Sequence, residues 1–246
     1  MDSYSLILFT AGAAAGGFIN GLAGFGTAMF ALGFWLQILP PEPAVFIATT
    51  ISVITGLPGA WFVRNAINLM RLLRFILPGL TGIPFGILLL NVLDTKILII
   101  IISVLQISYG GFFIMKNRVV IREPKPIIEI ILGLCGGVLG GMASLSGALP
   151  TMWCTIQNWT KNEKRAVPQI FNIVILGLTA ISLGITSQSA REASWLVLPA
   201  LPIALISAYI GIIFFRSLSD YQFRSLVIFM IFLSGISLII KSLISN

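Results

Sequence analysis

The sequence SLILFTAGAAAGGFINGLAGFGTAMFALGFWLQIL (residues 5–39) decides the fold, because it is apolar almost throughout and is interrupted by glycine near its middle. One helix needs about 20 mainly apolar residues to cross a bilayer. This longer stretch therefore predicts two shorter helices that meet at residues 22–27. The stretch PIIEIILGLCGGVLGGMASLSGALPTMWCTIQN (residues 126–158) has the same layout, with its interruption at residues 142–147. Both stretches predict helices that are broken inside a membrane.

The composition of the whole chain agrees with a membrane location. Of the 246 residues, 57% are hydrophobic and only 9% are charged, and the mean hydropathy is +1.03. A soluble domain is about one quarter charged. This chain has too little polar surface to cover a water-soluble globule, so the composition predicts an integral membrane protein in contact with the lipid bilayer.

Several classes of function are excluded by what the sequence lacks. It has no histidine, which removes imidazole metal sites and histidine-based general base catalysis. Two cysteines, Cys135 and Cys154, cannot form a cysteine-rich metal site. We therefore expect no enzyme activity, no metal and no cofactor. The net charge of +7 is placed in short loops between apolar runs, which favours a role in membrane topology over nucleic-acid binding.

The remaining apolar runs predict an all-α polytopic protein with ten helical segments. The first pair in each half is either a re-entrant hairpin or two crossings. Twelve of the fifteen basic residues then fall in loops on one side of the membrane, which the positive-inside rule assigns to the cytoplasm. Both termini are therefore expected outside the cytoplasm. The full-length candidates are 43–63, 72–90, 95–115, 163–187, 195–215 and 221–241.

The two interrupted stretches resemble each other at an offset of 120 residues. Residues 17–23 align with residues 137–143, and the same offset places Thr49 on Gln169. Each unit contains five segments, and an odd number of segments reverses the orientation of the second unit. Inverted repeats with broken helices are a recurring architecture of secondary transporters. The sequence thus predicts two inverted repeats, residues 1–117 and 127–246, joined by a cytoplasmic basic linker at 118–126.

The interruptions also predict a binding site. We call residues 24–27 the first break and residues 144–147 the second break. Each break precedes a new helix, whose N-terminus offers unpaired N–H donors and about half a positive charge. Two such ends facing one pocket would bind a small anion without a buried lysine or arginine. The predicted substrate-binding residues are Asn20, Gly24, Phe25, Gly26, Thr27, Thr49, Ser52, Ser144, Leu145, Ser146, Gly147, Gln169 and Asn172.

Two alternatives remain open at this point. The pairs Gly12/Gly16 and Gly17/Gly21 are small-xxx-small patterns, which also serve close helix packing. A non-transporting membrane assembly protein would need nothing more. Similarly, the basic residues 64, 71 and 74 suit a topology determinant, and attraction of anions at the cytoplasmic mouth is the alternative.

The transport mechanism is constrained by the absence of acidic residues from the middle of every predicted span. Proton coupling has no evident carrier without a buried carboxylate or a histidine. An anion that leaves a cell at about −100 mV gains about 2.3 kcal/mol per charge. These facts favour potential-driven export or facilitated diffusion of an anion, although the direction stays open.

The sequence resembles a known family at its breaks. Residues 21–26, residues 141–147 and the segment 77–86 followed by Leu93-Asp94 are similar to the sulfite exporter TauE/SafE family, also called TSUP transporters, and the resemblance covers nearly the whole chain. It implies a prokaryotic plasma-membrane carrier for sulfur-containing anions such as sulfite, sulfonates or sulfoacetate.

This chain departs from the usual Gly-Gly-Gly run of that family. Phe25 and Thr27 interrupt the run in the first break, and Ser144 and Ser146 interrupt it in the second. Phe25 and Leu145 would give the pocket an apolar wall for a carbon chain, which favours an organosulfonate such as isethionate over bare sulfite. Small-residue stripes that face lipid are compatible with a homodimer.

Overall fold

The protein is all-helical wherever the structure describes it. The computed structural model describes residues 2–115 and 125–244, and these ranges contain no β-strand. The predicted linker 118–126 lies outside the described residues except for its last two positions. The α-helices in the described ranges are α1 Ser3–Ala23, α2 Thr27–Trp35, α3 Pro41–Val63, α4 Leu69–Val92, α5 Thr95–Met115, α6 Pro126–Ala143, α7 Ala148–Thr155, α8 Lys161–Thr186, α9 Gln188–Glu192, α10 Val197–Ser217 and α11 Asp220–Ile244.

The membrane prediction is confirmed by the length and apolar character of these helices. Within the described residues, six helical segments are long and apolar enough to cross a membrane. Large apolar side chains remain exposed on their outer faces, as in Val92 at 80% and Leu198 at 76%. Lipid covers such surface in a multi-pass membrane protein. The six segments are Ser3–Ala23, Pro41–Ala66, Leu69–Val92, Pro126–Ala143, Lys161–Thr186 and Ser194–Ser217.

The helix boundaries follow from local sequence chemistry. Proline occupies the first turn of α3 and of α6, where its missing N–H costs nothing. Thr160 and Glu163 form a reciprocal capping box at the start of α8, which satisfies two otherwise unpaired N–H groups. These proline and capping signals lie in the first turn of each helix, or directly before it, and explain where three of the membrane-spanning helices begin.

Close contacts between small residues hold two pairs of helices together. Gly17 and Gly21 of α1 lie against the backbone of Ala204 and Ala208 of α10. The order of these contacts shows that the two helices run parallel. A side chain at either glycine would collide with the neighbouring backbone, so the small-xxx-small pattern does serve close packing here.

The pair α4 and α6 repeats this arrangement. Gly133 and Gly137 of α6 lie against the backbone of Phe75 and Gly79 of α4, again in parallel order. Between the two pairs, α3 and α8 run antiparallel, with the backbone of Gly56 against the side chain of Gln169. This packing brings the ends of α1 and α6, and therefore both breaks, to the central helices α3 and α8.

Candidate functional site

The first break is a turn that only glycine adopts easily. Helix α1 ends at Ala23 and α2 begins at Thr27, within the interval where the sequence predicts an interruption. Between them, Gly24 has φ +83° and Gly26 has φ +94°. Both values lie in the left-handed region, where a Cβ atom is sterically penalised. The glycines of this break thus set the backbone path.

The second break achieves its turn with a serine. Helix α6 ends at Ala143 and α7 begins at Ala148, and Ser144 is the only non-glycine with positive φ in the described residues, at 57°. Neither α2 nor α7 receives a side-chain hydrogen bond at its N-cap. The first N–H groups of both helices therefore lack the usual side-chain partner.

The two breaks lie against each other. A Cβ atom added to Gly147 would stand 2.5 Å from the Cβ atom of Phe25 and 3.4 Å from the amide oxygen of Asn172. Gly24 packs in turn against the side chain of Gln169. The short helices that follow the breaks, α2 and α7, thus begin close to one another and next to α8.

Buried amide and hydroxyl groups connect the breaks to α3. The amide nitrogen of Asn20 donates to the carbonyl oxygen of Ser52 at 2.8 Å and to the Thr55 hydroxyl at 2.7 Å. The amide nitrogen of Asn172 donates to the Ser52 hydroxyl at 3.0 Å, and Ser146 donates to the amide oxygen of Asn172 at 2.7 Å. Ser52 of α3 therefore joins α1 to α8 and, through Asn172, to the second break.

A buried arginine completes this group of residues, and it corrects the sequence interpretation. Arg165 is one of the twelve basic residues that the sequence assigns to loops, but it lies inside α8 and is only 1% exposed. Its guanidinium donates to the carbonyl oxygen of Gly21 at 2.7 Å and to the side-chain oxygen of Gln169 at 3.1 Å. Gln169 donates to the carbonyl oxygen of Gly56 at 2.9 Å. The assignment of Arg165 to a loop was wrong, and a buried arginine lies next to the predicted binding residues.

We refer to these interacting side chains as the polar cluster. Its members are Asn20, Ser52, Thr55, Ser146, Arg165, Gln169 and Asn172.

Several buried polar atoms in the breaks or on neighbouring helices have no hydrogen-bond partner. Thr27 and Ser144 provide hydroxyls within the breaks, and the others are the amide oxygen of Asn20 in α1 and the Nη1 atom of Arg165 in α8. Hydroxyl groups and guanidinium N–H groups can donate, and burial without a partner costs free energy. Three of the four atoms therefore have a free donor.

The predicted site residues are all buried, but they do not all join the polar cluster. The Thr49 hydroxyl donates to the carbonyl oxygen of Phe46 in its own helix at 2.8 Å and not to a residue of the polar cluster. Leu145 packs in the same apolar cluster as Phe25. The described residues contain no group of three metal-ligating side chains.

The sequence interpretation missed Arg165 and Thr55, although a signal for both was present. Arg165, Gln169 and Asn172 follow one another at i, i+4 and i+7, which places them on one helix face. Thr55 stands three residues after Ser52 on α3. Extending each polar face by one further turn would have found them.

Comparison with known proteins identifies the family. The family model described as "Sulfite exporter TauE/SafE" matches residues 8–238, nearly the whole chain. No curated protein and no solved structure matches the chain. With its apolar helices and its breaks, the chain belongs to the TauE/SafE sulfite exporter family, whose members are membrane transporters of sulfur-containing anions and not enzymes.

Proposed function

We propose that this protein carries small organosulfonates, such as isethionate or sulfoacetate, or sulfite across the prokaryotic plasma membrane. The anion binds where the first and second breaks meet, at the N-termini of α2 and α7. The transporter family supports the substrate class, and the uncapped helix N-termini support the position.

The observation that carries this proposal is the environment of Arg165. A guanidinium taken out of water needs a compensating charge or complete hydrogen bonding. Arg165 is 1% exposed and lies over the ring of Phe215 at 4.1 Å, yet its Nη1 atom has no hydrogen-bond partner, and none of the salt bridges among the described residues involves it. A bound oxyanion would supply an acceptor and a compensating charge.

The same arrangement supports the inverted repeat. Ser52 and Asn172 are equivalent under the 120-residue offset, and their side chains hydrogen bond to each other. Equivalent residues of two repeats meet in this way when they lie at the pseudo-two-fold axis. The packing of α1 on α10 and of α6 on α4 is the pattern expected from that symmetry, and the two central helices α3 and α8 run antiparallel as it requires.

We further propose that transport is uncoupled from protons. The polar cluster contains no carboxylate, and Glu129, the buried acid of α6, lies in the first turn of that helix and pairs with Arg74. Movement of the anion down the membrane potential needs no titrating group. The cytoplasmic placement of the basic loops and the extracytoplasmic placement of both termini remain part of this proposal.

The test is charge movement in proteoliposomes after rapid jumps of isethionate, sulfoacetate, sulfite, taurine and sulfate. We expect a saturable current of net negative charge that does not depend on pH, largest for the organosulfonates. Folded and inserted protein that gives no current, and no counterflow of labelled substrate, would reject transport. That result would favour the alternative in which the glycines serve helix packing alone.

A further inference from the structure

A second polar site lies far from the breaks, where α4 and α6 begin side by side. It is a cavity of about 310 Å³, within the lower range of small-molecule pockets. Glu129, which lines this cavity, precedes Ser144 of the second break by 15 residues. At the rise of an α-helix, this separation corresponds to about 22 Å. We call it the arginine cavity. Its lining residues are Asn68, Met70, Arg71, Arg74, Glu129, Gln157 and Trp159.

The guanidinium donors of the arginine cavity favour an anion. Arg71 stacks on the ring of Trp159 at 3.8 Å, and its nearest carboxylate, that of Glu163, is 3.9 Å away. Arg74 contacts the carboxylate of Glu129 at 3.3 Å. When Glu163, which lies outside the lining, is counted, the two arginines face two acids, and these four side chains carry no net charge. The attraction for an anion comes from the guanidinium donors and from the adjacent N-termini of the parallel helices α4 and α6, which add partial positive charge.

An independent observation, an unpartnered buried donor, points to a polar ligand in the arginine cavity. Gln157 lines the arginine cavity and is 4% exposed, yet its amide nitrogen has no hydrogen-bond partner. A buried donor without an acceptor is costly. The indole N–H of Trp153, four residues earlier, is also unpartnered, and its ring packs with Leu72 and Phe75 of α4.

We propose that the arginine cavity is a second anion-binding site, which holds a free sulfonate or sulfite-type oxyanion at the loop end of the protein. Arg71 and the amide of Gln157 donate to the anion, and Arg74 exchanges the Glu129 carboxylate for it. The identity of the anion rests on the proposed function, whereas the site itself rests on the cavity. An anionic lipid headgroup presents similar oxygens, so the experiment includes lipid as a separate arm.

Binding is measured without transport, on the full-length protein in phosphatidylcholine nanodiscs titrated with isethionate. Tryptophan emission reports occupancy through Trp159, and Trp159→Phe identifies the local part of the signal. We expect Arg71→Gln and Gln157→Leu to weaken binding about tenfold, the scale of one hydrogen bond to a charged group. Glu129→Gln is expected to tighten binding, because it removes the competing carboxylate.

Arg64→Gln is the matched control. Arg64 also stacks on a tryptophan, Trp61, at 4.2 Å, and lies in the connection between α3 and α4, seven residues before Arg71, but it does not line the arginine cavity. We expect its affinity within about twofold of the parent, as for an exposed charge. Equal weakening by Arg64→Gln and Arg71→Gln would overturn the proposal in favour of diffuse surface charge.

The remaining outcomes distinguish failure of the second anion site from failure of transport. A signal that requires phosphatidylglycerol and ignores isethionate would overturn the free-anion site and indicate a lipid headgroup. Isethionate binding at the arginine cavity with silent proteoliposomes would keep the site and reject transport. Normal transport with no binding signal from Trp159 would reject the site alone.

Discussion

Each break begins with a left-handed residue, Gly24 in the first and Ser144 in the second. The breaks differ in the side chains that α3 and α8 present to them. The first break faces α8, whose Gln169 packs on Gly24 and whose Arg165 reaches the carbonyl oxygen of Gly21. Under the 120-residue offset, the counterparts of Arg165 and Gln169 on α3 are Val45 and Thr49. Val45 is apolar, and the Thr49 hydroxyl is satisfied within its own helix.

Under the proposed function, this difference would let two similar breaks hold an asymmetric ligand. Two uncapped helix N-termini would attract an anion equally from both sides. A fixed guanidinium beside the first break alone makes that side the stronger partner for negative charge. Phe25 of the first break, which lies against Gly147 of the second, gives the junction of the two breaks an apolar side chain that suits a carbon chain. Under the proposed function, a sulfonate would therefore lie with its charged head towards Arg165.

The largest expected effect comes from removing the charge that distinguishes the two breaks. Arg165→Gln should lower the apparent affinity for isethionate about 100-fold, because hydrogen bonds to a charged group contribute about 1.5–3 kcal/mol each. The half-saturating concentration is measured by flux in proteoliposomes, together with thermal stability in detergent.

Arg165→Lys is the control for this variant, since it keeps the charge and loses the forked geometry. We expect it to recover part of the affinity. If Arg165 only caps the C-terminal end of α1 through Gly21, both variants would lower thermal stability and leave the half-saturating concentration unchanged. That pattern would break the comparison between the breaks.

The contact between the breaks is tested by adding one methyl group. Gly147→Ala places a Cβ atom 2.5 Å from that of Phe25, and overpacking of this kind costs about 1–3 kcal/mol. We expect transport to fall about tenfold, because the two helix N-termini are pushed apart. Gly177→Ala in α8 is the matched control, since its added Cβ atom would meet Val53 at an ordinary 3.9 Å. Equal losses in both variants would refute a specific role for the contact.

Most helices could be predicted from the sequence, because a helix that crosses a lipid bilayer must be apolar and about 20 residues long. The predicted helix 43–63 is observed as Pro41–Val63, and the predicted 95–115 as Thr95–Met115. Apolar length fixes such helices, while proline and capping residues fix their starts. The positions of the breaks were also accessible, because glycine at Gly24 and Gly26 marks left-handed backbone.

The candidate site was harder to predict from the sequence, because it depends on contacts between helices that are distant along the chain. Arg165 follows Lys164 near the start of a helix, where a basic residue usually marks a loop and not a buried site. It is buried because α8 packs against α3, where Gly59 lies next to its guanidinium, and because the guanidinium lies over the ring of Phe215 in α10. Thr49 illustrates the opposite error, since a polar residue at membrane depth can satisfy itself with its own backbone. Gln157 carried no sequence signal, because its neighbours come from α4 and α6.

The smallest expected effect sharpens the comparison most directly, since it uses two positions that are equivalent under the 120-residue offset. Gln169→Leu removes the hydrogen bond to Gly56 and the acceptor of Arg165, and should raise the half-saturating concentration about five- to tenfold. Thr49→Val removes only a bond within α3, and should change it by less than about twofold. Thr49→Val is isosteric, and Gln169→Leu removes one heavy atom from the side chain, so thermal stability is measured for both variants to separate packing from binding. If the two breaks contributed equally to binding, the two substitutions would have similar effects on the flux curve, and an asymmetric site would be untenable. A large effect for Gln169→Leu beside a negligible one for Thr49→Val would instead mean that α8, not α3, holds the charge of the substrate.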